Sequence, residues 1–323
     1  MDDIERQLQE QEKQKADENG QINGIPANGS GYVYMGGIKW RVLGKGSSSW
    51  LLISADVLGG TMNWDTAKDY GNSRMSTYFS GVEKSAILST SKTESYDSGY
   101  YDSASSLLRY SVANLNGESL FLLSAEEAET YFSGDDDRQP SQWWLRSPNY
   151  DYGYLAGFAN GFGILHDNYV RNYSGARPVF QLNLSSVLFT SAASGGKSSA
   201  TAGGDFGTLT GSDELKLTLI DGSGFSASVN GSDSASIPSD GRIEITYSKV
   251  ADGRQVSALL YVGDTVYYAT HTPDGTGKWT VTLPSGLSSA GTYTLKVFSE
   301  QRNEDYKTDY VSTPSVITLN GGN

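Results

Sequence analysis

The sequence predicts an α+β domain followed by an all-β sandwich, on three observations. Strand-like and helix-like runs alternate from Tyr32 to about Phe189. A Ser/Gly/Ala/Thr stretch without periodicity follows, and after Asp213 only short alternating runs remain, with turn signals near every ten residues. A length of 323 residues, at about 100 to 200 per domain, fits two domains. The expected divisions are a polar arm and connector at 1–29, a first domain at 30–190, a linker at 191–212 and the sandwich at 213–323.

Residues 1–19 are helix-compatible, but only Ile4 and Leu8 form an apolar stripe, so the segment reads as a solvated arm, with an oligomerising helix as the sharper alternative. GQINGIPANGSG is a turn-rich connector. YVYMGGIKWRVLG and SWLLIS read as a hairpin of half-buried strands. GKGS at 44–47 is not a phosphate loop, because the GxxxxGK[ST] spacing is missing. Asn63–Phe79 and Ser124–Phe132 are expected helices. Ser124 and Glu127 have the spacing of a capping box, which assigns Glu126, Glu127 and Glu129 to helix-start chemistry and solvation rather than catalysis.

From Asp213 onward, ELKLTLI, FSASV, RIEITY, SALLYV, DTVYYAT, KWTVTL, YTLKVF and SVITL are separated by DGSG, ADG, PDGTG and PSGLSSAG, the pattern of an antiparallel sandwich. Ala290–Leu295 is similar to the tyrosine corner of immunoglobulin-like domains, which makes Tyr293 a fold marker and not a site residue.

Composition excludes several chemistries. The chain has no cysteine, which removes thiolate nucleophiles, disulfides and cysteine-held metals, and its two histidines, His166 and His271, fall in different domains. A net charge of -13 argues against nucleic acid and against polybasic membrane binding. No run of about 18 apolar residues occurs, so direct membrane insertion is not expected. The first 20 residues carry seven acids and three bases, which is no signal peptide. Asp135-Asp136-Asp137 reads as a solvated acidic loop, with calcium as the runner-up. A Ser–His–Asp triad around His166 and Asp167 has no GxSxG elbow to support it. His271 is expected at the surface.

The segment Asn149–Gly175 is unusual. Its 27 residues hold five Tyr, two Phe, four Asn, two Asp and five Gly, but no Lys, Glu, Gln, Met or Trp. Tyr offers a large rigid surface with two χ angles and Asn offers adaptable hydrogen bonding, so this composition suits recognition; packing of the loop on its own core is the alternative. A tight turn is expected around Asn160-Gly161.

The runs WRVLG (40–44), LLISADVLGGTMNW (51–64), NSRM (72–75), SAILST (85–90), FLLSAEEAETYF (121–132), WWLRSP (143–148) and ARPVFQLNLSSVLFTSAA (176–193) resemble a large uncharacterised bacterial surface-domain family. That family is related to the formylglycine-generating-enzyme type of C-type lectin fold, and some members resemble target proteins of diversity-generating retroelements. The resemblance implies a C-type-lectin-like α+β first domain, a cell-surface or secreted location, and non-enzymatic ligand binding. The enzymes of the related fold use a cysteine pair with copper or a histidine-rich iron site, which this chain lacks, so neither metal nor cofactor is expected.

In such targets, AAC and AAT codons mutate at adenines and never yield Lys, Glu, Gln, Met or Trp, the five types missing from the segment. The expected ligand-facing positions are Asn149, Tyr150, Asp151, Tyr152, Tyr154, Phe158, Asn160, Phe162, His166, Asp167, Asn168, Tyr169, Arg171, Asn172 and Tyr173. Trp143, Trp144, Leu145, Arg146, Arg177 and Pro178 are assigned to the core and to buried ion pairing. The partner is an unidentified protein or a glycan; a glycan-binding adhesin module and a structural stalk are the competing functional readings.

Overall fold

The structure is a computed structural model that describes residues 31–94, 100–101, 108–139, 141–198, 205–287 and 289–322. The chain forms two compact units: one holds Ile38–Leu184, the other Ser185–Asn323 together with Val33–Gly37. The described residues are 48% strand and 12% helix, which overturns the expected α+β C-type-lectin-like domain. The reason lies in the shortness of the helices: Ser124–Phe132 forms as expected between its two caps but is only two turns long, and the longer expected helix is divided. Asn63–Phe79 breaks at Arg74 into Trp64–Ser73 (α1) and Met75–Tyr78 (α2). Gly81–Ser85 (α3), Ala125–Tyr131 (α4) and Asp135–Arg138 (α5) are one or two turns each.

In the first unit, Ile38–Lys45 and Ser49–Ser54 pair as a hairpin, Val179–Asn183 pairs antiparallel with Ser49–Ser54, and Ile87–Leu88 closes the other edge. A second sheet has five strands: Leu58–Met62 (β1), Trp143–Pro148 (β2), Leu155–Ala159 (β3), Leu165–Tyr169 (β4) and Ser174–Ala176 (β5), in the spatial order β4-β3-β2-β5-β1. β2 is buried along nearly its whole length because it packs on both faces. On one face Trp143 and Leu145 join Leu51, Ile53, Phe132 and Val179. On the other, Trp144 packs with Met62, Ala67 and Leu122 under α1. α1 sits this close because Gly71 carries no side chain: a Cβ there would lie 2.7 Å from Leu120 Cβ.

Both α3 and α4 begin with complete capping boxes, Ser80 with Glu83 and Ser124 with Glu127. Arg146 anchors the frame from within. Its Nε donates to Ala113 O at 2.7 Å, Nη1 donates to Leu122 O at 2.8 Å and also meets Glu127, and Nη2 reaches Glu94 at 2.9 Å.

The second unit is all β. A three-stranded antiparallel sheet, Ser226–Val229, Arg242–Ser248 and Lys278–Thr282, contributes to a core with Gln255–Val262, Thr265–His271, Thr292–Gln301 and Ser315–Asn320. Glu214–Ile220 runs parallel to Asp309–Val311, and Ser234–Ser236 runs parallel to Ser315–Asn320. The sheet is therefore mixed, which corrects the expected antiparallel immunoglobulin-like sandwich. Tyr293 is half-buried on this core and Leu295 is fully buried. Val187–Ala192 is a buried strand paired with Glu214–Ile220. Within the stretch read as a linker, Gly207–Thr208 pairs with Thr265–His271, and 199–204 lie outside the described residues. The polar arm at 1–29 also lies outside them. Among the described residues, no helix is long and apolar enough to cross a membrane.

Candidate functional site

Residues 149–173 form a loop and a hairpin hung on the buried strand β2. Asn149, only 7% exposed, turns the chain as β2 ends. Its Oδ1 accepts from the backbone N–H of Asp151 at 2.9 Å and of Tyr152 at 2.8 Å, its own N–H donates to Leu155 O, and its Nδ2 donates to Asp167. This side-chain turn fixes the loop without using the tyrosines. Burial raises the Asp167 carboxyl, against the hydrogen bonds from Asn149 and Tyr110 and the nearby His166.

The tyrosines project outward. Tyr150, Tyr152, Tyr154, Tyr169 and Tyr173 are 47–65% exposed and Phe162 is 74% exposed; with Ile164 they make seven of the ten exposed large hydrophobic side chains among the described residues. Such concentration in one short segment marks a surface rather than scatter. Tyr152 and Tyr154 pack ring to ring at 5.7 Å, Tyr154 stacks on Tyr169 at 5.8 Å and 17°, and the Arg171 guanidinium covers Tyr169 at 5.4 Å. Beside this ladder, Arg109 lies over the Tyr150 ring at 3.8 Å and 3.6 Å from the Asp151 carboxylate. Ring pairs of this kind contribute about 0.5–1.5 kcal/mol each beyond area burial, so the ladder is held by its own contacts.

The fifteen expected positions do not form one surface. The register pairs Leu155 with Tyr169 and Phe158 with His166. Phe158 is half-buried, packs on Trp144 at 5.9 Å and meets His166 edge-on at 6.4 Å. By strand alternation His166 and Asn168 fall on the face opposite Tyr169. Asn168 Oδ1 accepts from Asn172 Nδ2 at 2.7 Å, leaving Asn172 exposed beside the ladder. Phe162 stands at the other end of the hairpin, five residues of strand or about 16 Å away.

The turn at that end is organised by Asn160, whose Oδ1 accepts from the N–H of Phe162 and of Ile164. It is clamped by Arg138, whose Nε donates to Gly163 O at 2.6 Å. Gly163 is required there: its φ is +79° and a Cβ would lie 1.7 Å from Asp135 O. Asn149 and Asn160 therefore shape the backbone, while Tyr150, Asp151, Tyr152, Tyr154, Phe162, His166, Tyr169, Arg171, Asn172 and Tyr173 face solvent.

The acidic triplet is a short helix rather than a solvated loop. Asp137 binds Arg41 through both oxygens, at 2.7 and 2.8 Å, Asp135 pairs with Arg138, and Asp136 accepts from Gln139. The Arg41 hydrogen bonds hold the Asp137 carboxyl at about 2, with burial opposing them. Among the described residues no group of three His, Cys, Asp or Glu side chains is placed to hold a metal ion. His271 is half-buried, stacked on Trp279 at 5.7 Å and 9°, and is not the surface residue expected.

A cleft of about 570 Å³ between α1 and residues 112–118, lined by Trp64, Asp65, Asp69, Asn72, Asn114 and Asn116 among others, had no counterpart in the sequence reading. Its polar groups come from α1, from residues 114–118 and from Arg146, and no motif joins them. The Trp64 ring in it is covered by Lys68, with Nζ 3.7 Å from the ring centroid.

No curated protein and no solved structure matches the chain. Residues 47–184, which include the whole tyrosine-bearing hairpin and its supporting sheet, match the family model described as Domain of unknown function (DUF6273).

Proposed function

We propose that the chain is a non-enzymatic recognition protein, at the cell surface or secreted, which displays residues 149–173 as a variable binding surface of the type found in targets of diversity-generating retroelements. The observation that carries this reading is the solvent-facing ladder Tyr152–Tyr154–Tyr169–Arg171, preorganised on a hairpin whose backbone is fixed by other residues. Rigid aromatic side chains bury large area at low entropic cost, which favours a protein ligand. The solvent-facing positions hold Tyr, Phe, Asp, Asn, His and Arg, all reachable from adenine-mutated AAC or AAT codons.

Changing Tyr152, Tyr154 and Tyr169 together to Ala is expected to lower affinity for a ligand selected from a protein-display library by at least about 30-fold, or about 2 kcal/mol, with the fold retained by circular dichroism at the assay temperature. Retained affinity would sink the reading. In the parent genome, a near-repeat of the DNA for this segment differing at adenines is the expected template. Its absence would remove the retroelement origin and leave recognition standing. A glycan ligand is the second reading, favoured by the exposed Asp151 and Asn172 in the same segment. A glycan array run beside the protein screen separates the two.

A further inference from the structure

The second unit contains a group of charges enclosed by its own strands. Lys197, Glu300 and Asp309 have side chains 1%, 0% and 0% exposed. Lys197 Nζ lies 2.5 Å from Glu300 Oε1, 2.7 Å from Asp309 Oδ2 and 2.9 Å from Thr218 Oγ1. The wall is apolar: the Phe189 ring centroid is 4.4 Å from the ammonium, and Phe298 and Leu259 complete the cluster. Glu300 is held by two further donors, Ser257 Oγ and Tyr268 OH, both on its Oε2. Lys216 approaches the same aspartate at 3.0 and 3.1 Å, with its remaining donors on Asn303 O and Glu304 O. Despite two ammonium groups within 3.0 Å, Asp309 Oδ2 accepts no hydrogen bond of normal geometry.

We propose that Lys197 and Asp309 condense to form an intramolecular isopeptide bond, with Glu300 relaying the protons. Lys197 Nζ lies 2.7 Å from Asp309 Oδ2, which holds the amine against the carboxyl group whose carbon it would attack, and such prior positioning removes much of the entropic cost of the reaction. Glu300 Oε1 takes a proton from the Lys197 ammonium, and the free amine adds to Asp309 Cγ. Lys216 stabilises the negative charge on the aspartate oxygen, as a fixed cation does in a water-excluded site. The C–N bond forms and one C–O bond breaks. Two protons leave Nζ and both end on the departing oxygen, which leaves as water; Glu300 is regenerated.

An ammonium and a carboxylate become a neutral amide and one water, so no oxidant or other reactant is needed. The exchange removes two charges from an interior where each is costly to bury, and exclusion of water opposes the reverse hydrolysis. Lys216 is the less suitable nucleophile because its donors are engaged by two carbonyl oxygens and Glu300 is placed beside Lys197 instead.

Mass spectrometry of the full chain tests this directly, and with no cysteine in the sequence no disulfide complicates the mass. The expected mass is one water, about 18 Da, below that of the sequence, and the tryptic digest contains a branched peptide joining Lys197 to Asp309. Glu300→Gln and Lys197→Ala are expected to restore the full mass, with folding of each checked by circular dichroism. Wild-type protein of full sequence mass, with Lys197 in a linear peptide, would overturn the proposal whether or not the variants fold. A branch at Lys216 would overturn the choice of nucleophile, and an undiminished branch in folded Glu300→Gln would overturn the relay.

Discussion

Replacing Arg146 by alanine measures how firmly the frame holds the tyrosine-bearing hairpin. The guanidinium is 6% exposed, ties two carbonyl oxygens from different segments and faces the Glu94 and Glu127 carboxylates, 0% and 7% exposed. Burial works to raise the Glu127 carboxyl, but Arg146 and then Lys92 outweigh it and the net shift is downward. Removing the cation leaves two buried carboxylates, of which Glu127 keeps Lys92 at 2.7 Å. Breaking a buried pair from one side costs about 3–5 kcal/mol. Two carbonyls that lose donors would add to this, but water entering the vacated space offsets part of it, so about 4 kcal/mol is the expected loss. For a unit of this size that shifts Tm by about 8–16 °C.

Near-UV circular dichroism, with buried Trp143 and Trp144 as reporters, follows the unfolding of the first unit. The triple variant Arg146→Ala, Glu94→Gln, Glu127→Gln should recover much of the loss, because the stranded charges are gone. A shift below about 3 °C for the single variant would refute the reasoning. Failure of the triple variant to recover would place the cost in packing against Phe121 instead.

Gly163→Ala should destabilise the first unit by about 3 kcal/mol, because the φ of +79° is strained for alanine and the Cβ meets Asp135 O; urea unfolding measures it. Asn149→Ala should cost about 1–2 kcal/mol and speed hydrogen exchange at the Tyr152 amide, whose acceptor it removes. Asp137 binds protons less readily folded, at about 2, than its ordinary value of 3.8, so the stability it provides is complete above about pH 4 and is lost as pH falls toward 2. Thermal scans from pH 5 to 2 should show that decline, and Arg41→Met should flatten it; an unchanged slope would disconnect the acid sensitivity from this pair.

What could be read from the sequence was local. Ser124 and Glu127 announce their capping box by spacing alone, and Ser80 and Glu83 have the same spacing. The uninterrupted apolar run Trp143-Trp144-Leu145 indicates a strand covered on both faces. The helix read across Asn63–Phe79 ends early at Gly71-Asn72-Ser73, poor helix formers that directly precede the break at Arg74. The solvent-facing tyrosines follow from composition, whereas the hidden roles of Asn149 and Asn160 do not, since an asparagine that closes a turn looks the same in sequence as one that meets a ligand. Lys197, in a Ser/Gly-rich stretch, reads as solvated; its acidic partners lie 103 and 112 residues further on, and only the folded strands bring them to it.

The hairpin is tied down at both ends by groups other than its tyrosines: Asn149 at one end, Asn160 with the Arg138 clamp on Gly163 at the other. Shape and chemistry are thereby written in separate sets of residues. Substitutions in the exposed set leave the contacts that set the backbone intact, so the chemistry of this face can change while the hairpin keeps its shape.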